Sequence, residues 1–218
     1  VVIIDGEVAL REGQLEMFAC PDGTKEHESI VSVDTLAYYA HAGLLAVGAE
    51  AGSPVQFDPK YKPATGTVVE VRVQWYDKQG KLQERPAQEW VRNAETKKAM
   101  QYDWVFAGSG FWFDERTGRE QYLAEAGDFI CVSNFPSATL DLPVQSTQAN
   151  KGLLFEAFTE RIPPRKTPVR LILEPQLKKP GQSADGTKQP DKKEKASEKK
   201  PAAQKSPADD TAQPGKRE

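Results

Sequence analysis

Apolar and polar residues alternate most cleanly from Thr67 to Tyr76. Val69, Val71, Val73 and Trp75 share one side, and Glu70, Arg72, Gln74 and Tyr76 share the other. A period of two is the mark of a strand with one buried face. Asp77-Lys78-Gln79-Gly80 then reads as a turn, and Lys81-Leu82 as the start of a returning strand. The apolar run Val1–Ile4 continues through Asp5-Gly6 to Leu10, as two short strands or one strand with a bulge. Leu15 to Cys20 forms a further strand, broken by Pro21-Asp22-Gly23, because proline lacks the ladder N–H. Trp104 to Phe113 is an aromatic strand bent at Gly108-Ser109-Gly110, and Asp114 to Gly118 turns it into a second hairpin through Leu123. Phe129–Val132 and Val169–Leu173 complete the strands, while 153–162 fits either a helix or an extended segment.

One segment carries a helical period. Leu36, Tyr39, Ala40, Gly43, Leu44 and Val47 recur at steps of three and four, which predicts a helix over 35–47 with Asp34 as its N-cap and Gly48 closing its end. No repeat is present, nor any regular alternation of strands with long helices, which excludes a doubly wound parallel sheet. The expected fold class is α+β: a mainly antiparallel β domain with one or two helices packed on it, followed by a disordered tail.

The boundary of that tail follows from composition. Residues 178–218 contain no Val, Ile, Leu, Met, Phe, Trp or Tyr, so nothing is buried to offset an ordering cost of roughly 1–2 kcal/mol per residue. The expected division is a folded domain over 1–177 and a disordered Lys/Pro/Ala-rich tail over 178–218. Of the 29 Lys+Arg, 11 lie in the tail, with 7 of the 32 Asp+Glu, which leaves the tail at +4 and the body at −7. An acidic body argues against a specific nucleic-acid surface. No run reaches the roughly 20 apolar residues of a membrane span. The chain starts at Val1, directly in an apolar run, as expected of a processed or trimmed chain or a fragment whose precursor carried a signal peptide.

The chemistry-bearing residues resemble a known family. Cys20-Pro21-Asp22-Gly23-Thr24-Lys25-Glu26-His27-Glu28-Ser29 and His41-Ala42-Gly43-Leu44 look like the opening of the uncharacterised YdjY-type domain. Trp104-Val105-Phe106-Ala107-Gly108-Ser109-Gly110-Phe111 and Gly127-Asp128-Phe129-Ile130-Cys131 are similar to its later segments. Members occur in exported or envelope proteins of bacteria, particularly planctomycetes. The resemblance therefore implies a periplasmic, envelope-associated or secreted protein, and it assigns no reaction.

Three function classes follow from the residues. Both histidines and one of the two cysteines fall within 20–41, so Cys20, His27 and His41, with Cys131 returning to them, are the candidate ligands of a zinc or copper site. Their spacing matches no standard zinc motif, and the plainer reading makes the cysteines core thiols or a disulfide, His27 a turn residue and His41 a solvated helix residue. A hydrolase-like enzyme would use His27 with Glu28 or Asp128 as general base and Ser109 or Ser29 as nucleophile, although Gly108-Ser109-Gly110 lacks the outer glycines of a nucleophile elbow. A non-catalytic domain of structural or binding role would engage a protein or small-molecule partner through aromatic residues around 102–113. For these, packing in the core is the plainer expectation.

Overall fold

The computed structural model describes residues 1–146 and 154–177; the tail expected from residue 178 lies outside the described residues. The apolar start of the chain forms one strand, β1 (Val2–Val8), not two. It is followed by β2 (Met17–Pro21), a short 3-10 turn (Glu26–Glu28) and β3 (Ser29–Val33), both strands buried along their whole length. The helix α1 (Ala37–Ala46) precedes β4 (Val68–Tyr76) and β5 (Leu82–Pro86). Then come β6 (Val91–Asn93), β7 (Trp104–Phe106), β8 (Phe111–Asp114) and β9 (Arg119–Tyr122). The chain ends in β10 (Ile130–Cys131), β11 (Leu140–Asp141), β12 (Phe155–Ala157) and β13 (Pro168–Pro175).

These strands close on themselves. The order β13-β1-β3-β2-β10-β11-β7-β4 returns to β13, because β4 also pairs with β13. That pairing runs from Val169 opposite Trp75 to Pro175 opposite Val69. The result is an eight-strand β-barrel, with β5 continuing the edge of β4 beyond β7. Two neighbours, β2–β3 and β10–β11, are parallel. Expecting a mainly antiparallel sheet with helices packed on it was therefore wrong: the sheet covers its own apolar face by closure, and one short helix is found among the described residues. Val69, Val71 and Val73 of β4 and Val169, Leu171 and Leu173 of β13 all join the main core, as the alternation required.

Local expectations fare unevenly. Gly48 closes α1 in left-handed backbone at φ +92°, as predicted. Asp34 does not cap it. Instead the Glu125 carboxylate accepts the amides of Ala37 and Tyr38 at 3.1 and 2.9 Å, a tertiary cap reaching across 88 positions. The buried side of α1 is Ala37, Ala40 and Leu44, while Leu36 and Tyr39 are exposed. Phe155–Ala157 is extended and pairs with β6. The strand β3 is missed by the alternation rule, because Ser29 to Val33 is buried on both faces and so carries no inward–outward period.

One acid is folded into this barrel. Asp141, at the end of β11, is fully buried; its Oδ1 accepts the Leu142 amide at 2.7 Å and the Asn134 side-chain amide at 3.1 Å. Its Oδ2 has no hydrogen-bond partner among the described residues. Burial without a cation pushes this carboxyl from its ordinary 3.8 up to about 7. The folded protein thus holds the proton more tightly than the unfolded chain does. The contribution of Asp141 to stability is fullest below about pH 4 and falls by roughly 1.4 kcal/mol per unit as the pH rises toward 7, then levels off. Urea unfolding over this range should show stability falling more steeply with pH in wild type than in Asp141→Asn. Equal pH dependence in both would show that Asp141 ionises normally.

Candidate recognition surface

The glycine pair around Ser109 does make the bend between the two aromatic strands. Gly108 has φ +88° and Ser109 φ +54°, and a serine held there costs about 1–3 kcal/mol. The surroundings hold it: the Ser109 hydroxyl donates to the Ser137 carbonyl at 2.6 Å, and the Gly108 amide donates to the Thr139 carbonyl at 3.1 Å. Tyr122, buried at the end of β9, places its hydroxyl beneath the same bend. It donates to the Gly108 carbonyl at 3.2 Å and lies 3.0 Å from both Thr139 Oγ1 and His41 Nδ1.

His41 leaves α1 on this side and is half-buried under rings. Its imidazole meets Phe106, Tyr122 and Phe111 edge-on, with centroids 5.0, 5.3 and 6.5 Å away. Tyr38, one turn earlier, packs against Phe111 and Tyr122 at 6.1 and 5.9 Å. Burial lowers the pKa of His41 below its usual 6.5 and raises that of Tyr122 to about 12, so both are neutral at pH 7. The Tyr122 hydroxyl meets His41, Thr139 and the Gly108 backbone, which ties α1, β9 and the bend into one platform.

Above the platform the rings reach solvent. Phe111, Trp112 and Phe113 are 51, 49 and 59 % exposed, and Tyr39 on α1 is 61 % exposed. Phe111, Trp112 and Phe113 sit on the β8–β9 hairpin, which pairs with no other strand among the described residues. The expectation that these aromatics fill the core is thus divided at the bend: Trp104 and Phe106 are buried, whereas 111–113 are not.

A second polar cluster adjoins the bend through Ser137, whose hydroxyl donates to Asp128 Oδ2. Asp128 Oδ1 lies 3.0 Å from Lys25 Nζ, with Glu28 and Glu16 at 3.6 and 4.0 Å. The ammonium also sits 4.4 Å from the centre of the Phe135 ring. Gly127, at φ +125°, is required here because a Cβ would stand 2.5 Å from Lys25 Cγ. Burial pulls the lysine's pKa down, but the hydrogen bond and charge of Asp128, with Glu28 and Glu16, outweigh it and the net shift is upward. Glu16 is shifted up by its own burial and by Glu28.

The four residues singled out as metal ligands lie on different elements: Cys20 on β2, His27 in the 3-10 turn, His41 on α1 and Cys131 on β10, which pairs with β2. Cys20 and Cys131 are buried free thiols, and burial raises the pKa of both. His27 is on the surface, its side chain 76 % exposed, with Nε2 3.9 Å from Glu28. His41 is in the aromatic platform. No hydrogen bond, ion pair or ring contact joins any two of the four, and no group of three His, Cys, Asp or Glu among the described residues is arranged to hold a metal ion. Asp128 is bonded to Lys25 and Ser137, not to His27. Tyr122, Ser137 and Thr139 escaped the sequence reading, because hydroxyl residues so far from Ser109 and His41 in the chain carry no local signal of meeting them.

Fold and surface together define a small closed β-barrel with an aromatic face built from one helix and one free hairpin. The chain belongs to the YdjY domain family, whose match covers residues 1–174. No curated protein and no solved structure matches it. Among the described residues no helix is long and apolar enough to cross a membrane.

Proposed function

We propose that the domain is a non-catalytic binding module that engages a protein partner through the aromatic face of α1 and the β8–β9 hairpin. The observation that carries this reading is the exposure of Phe111, Trp112 and Phe113 together, on a hairpin with no further strand partner among the described residues. Three rings left about half in water forgo burial worth roughly 1 kcal/mol each, a cost that contact with a partner would recover. Aromatic side chains also dominate the centres of protein interfaces. On its family resemblance the module works in the periplasm or envelope, which fractionation of the source cells would test.

The binding test uses a benzophenone amino acid placed at Phe113, with the exposed Leu82 on β5 as a control site. A polypeptide captured only at Phe113 is then titrated against the purified domain. Trp112→Ser with Phe113→Ser should weaken its binding by about tenfold or more. Undiminished binding by that folded double variant would overturn the reading.

A further inference from the structure

The β8 edge has a property that names one occupant of this face. Leu123 donates its amide to the Gly110 carbonyl at 2.9 Å, and Phe111–Asp114 lie opposite Tyr122–Arg119. In an antiparallel pair, bonded and non-bonded residues alternate. Gly110, Trp112 and Asp114 therefore spend their main-chain groups on β9, and Phe111 and Phe113 direct theirs outward from β8. No other backbone bond among the described residues takes up those outward groups.

An open edge of this kind is a template for another strand, and proteins usually guard one with charge, proline or a bulge. On β9 the guard is present, as Arg119 and Glu120. On β8 there is none between Gly110 and Asp114. We propose that two copies of this chain pair through antiparallel β8 strands about a two-fold axis at Trp112. This rests on the binding reading above and identifies the partner as a second copy.

The strand is self-complementary in that register. Phe111 of one copy stands opposite Phe113 of the other, twice, and both residues are the outward-directed ones, so four main-chain hydrogen bonds form. Trp112 faces Trp112 in the non-bonded position, where side chains come closest. Asp114, the one charged residue of β8, falls opposite Gly110, so no like charges oppose each other. Phe111 and Phe113 stack across the axis on one side of the new four-stranded sheet, and the two Trp112 rings meet on the other.

Sedimentation of the full chain up to about 100 µM tests the pairing. Wild type should show a monomer–dimer equilibrium. Phe113→Pro removes an outward N–H from β8 and should weaken dimerisation by about tenfold or more, while Glu120→Pro, the matching lesion on β9, should leave it unchanged. Hydrogen exchange on wild type gives a reading independent of either variant's folding: the amides of Phe111 and Phe113 should gain protection with concentration, and that of Glu120 should not. A wild-type monomer at the highest concentration, or a dimer indifferent to Phe113→Pro, overturns the proposal. The first of these outcomes leaves the capture at Phe113 to decide whether another protein binds there. Loss of the dimer in Glu120→Pro would also overturn it.

Discussion

Trp104→Ala should lower the unfolding free energy by about 3–5 kcal/mol, the largest effect expected from a single apolar truncation in this barrel. Trp104 is fully buried in β7 and packs against Phe18 of β2 with centroids 5.6 Å apart. Its indole N–H donates to the Cys131 carbonyl at 2.8 Å. The truncation therefore opens a cavity and also removes the indole donor from a buried carbonyl, which places the cost toward the upper end of that range. Trp104→Phe retains most of the packing and loses the donor, so it should fall between wild type and alanine. Trp90 supplies the contrast, because its indole nitrogen is buried with no acceptor among the described residues. Trp90→Phe should cost less than Trp104→Phe. Chemical denaturation of the four proteins checks the order, and equal costs for the two phenylalanine variants would contradict the role assigned to the Trp104 hydrogen bond.

Lys25→Ala is the second large effect. The lysine is three-quarters buried amid Asp128, Glu28 and Glu16, and Asp128 is almost completely shielded from water. Removing the cation strands three carboxylates near one another with their attraction turned to repulsion. A cost of about 3 kcal/mol at pH 7 is expected, after allowance for the water that already reaches the lysine. The loss should shrink at acid pH, where Glu16, shifted up by its burial and by Glu28, takes up a proton and one of the repelling charges is lost. Lys25→Met with Asp128→Asn should recover part of it at neutral pH, since the buried charge leaves with its partner. Failure of acid to narrow the gap would show that the lysine acts by packing on Phe135, and not by charge.

The strands with strong local signals were legible in the chain. The alternation of Val69, Val71 and Val73 placed one face of β4 inward, and the glycines at 108 and 110 marked the bend before β8. Helix α1 was legible in extent and at its Gly48 terminus, but its N-cap was not, because Glu125 arrives from another part of the fold. The candidate site was legible only in fragments. His41 and Ser109 stood out as reactive types, and Asp128 as a nearby acid, yet their true neighbours are Tyr122, Ser137 and Lys25. Cys20, His27, His41 and Cys131 attracted notice by their rarity, and rarity says nothing about which side chains meet.

Periodicity, turn chemistry and composition are local properties, so they determined the β-rich character, the main hairpins and the buried faces of the longest strands. Closure of the sheet was decided by the tertiary structure alone. It depends on β13 pairing with β4 about a hundred positions away, and every such antiparallel or parallel match satisfies the same backbone groups with little dependence on side-chain identity. The same holds for the aromatic run. Trp104, Phe106, Phe111, Trp112 and Phe113 are alike in hydrophobicity, and only the placement of β7 inside the barrel wall and of β8 outside it separates core from surface. Exposure is a property of what else the chain brings near a residue, and that is settled by long-range packing.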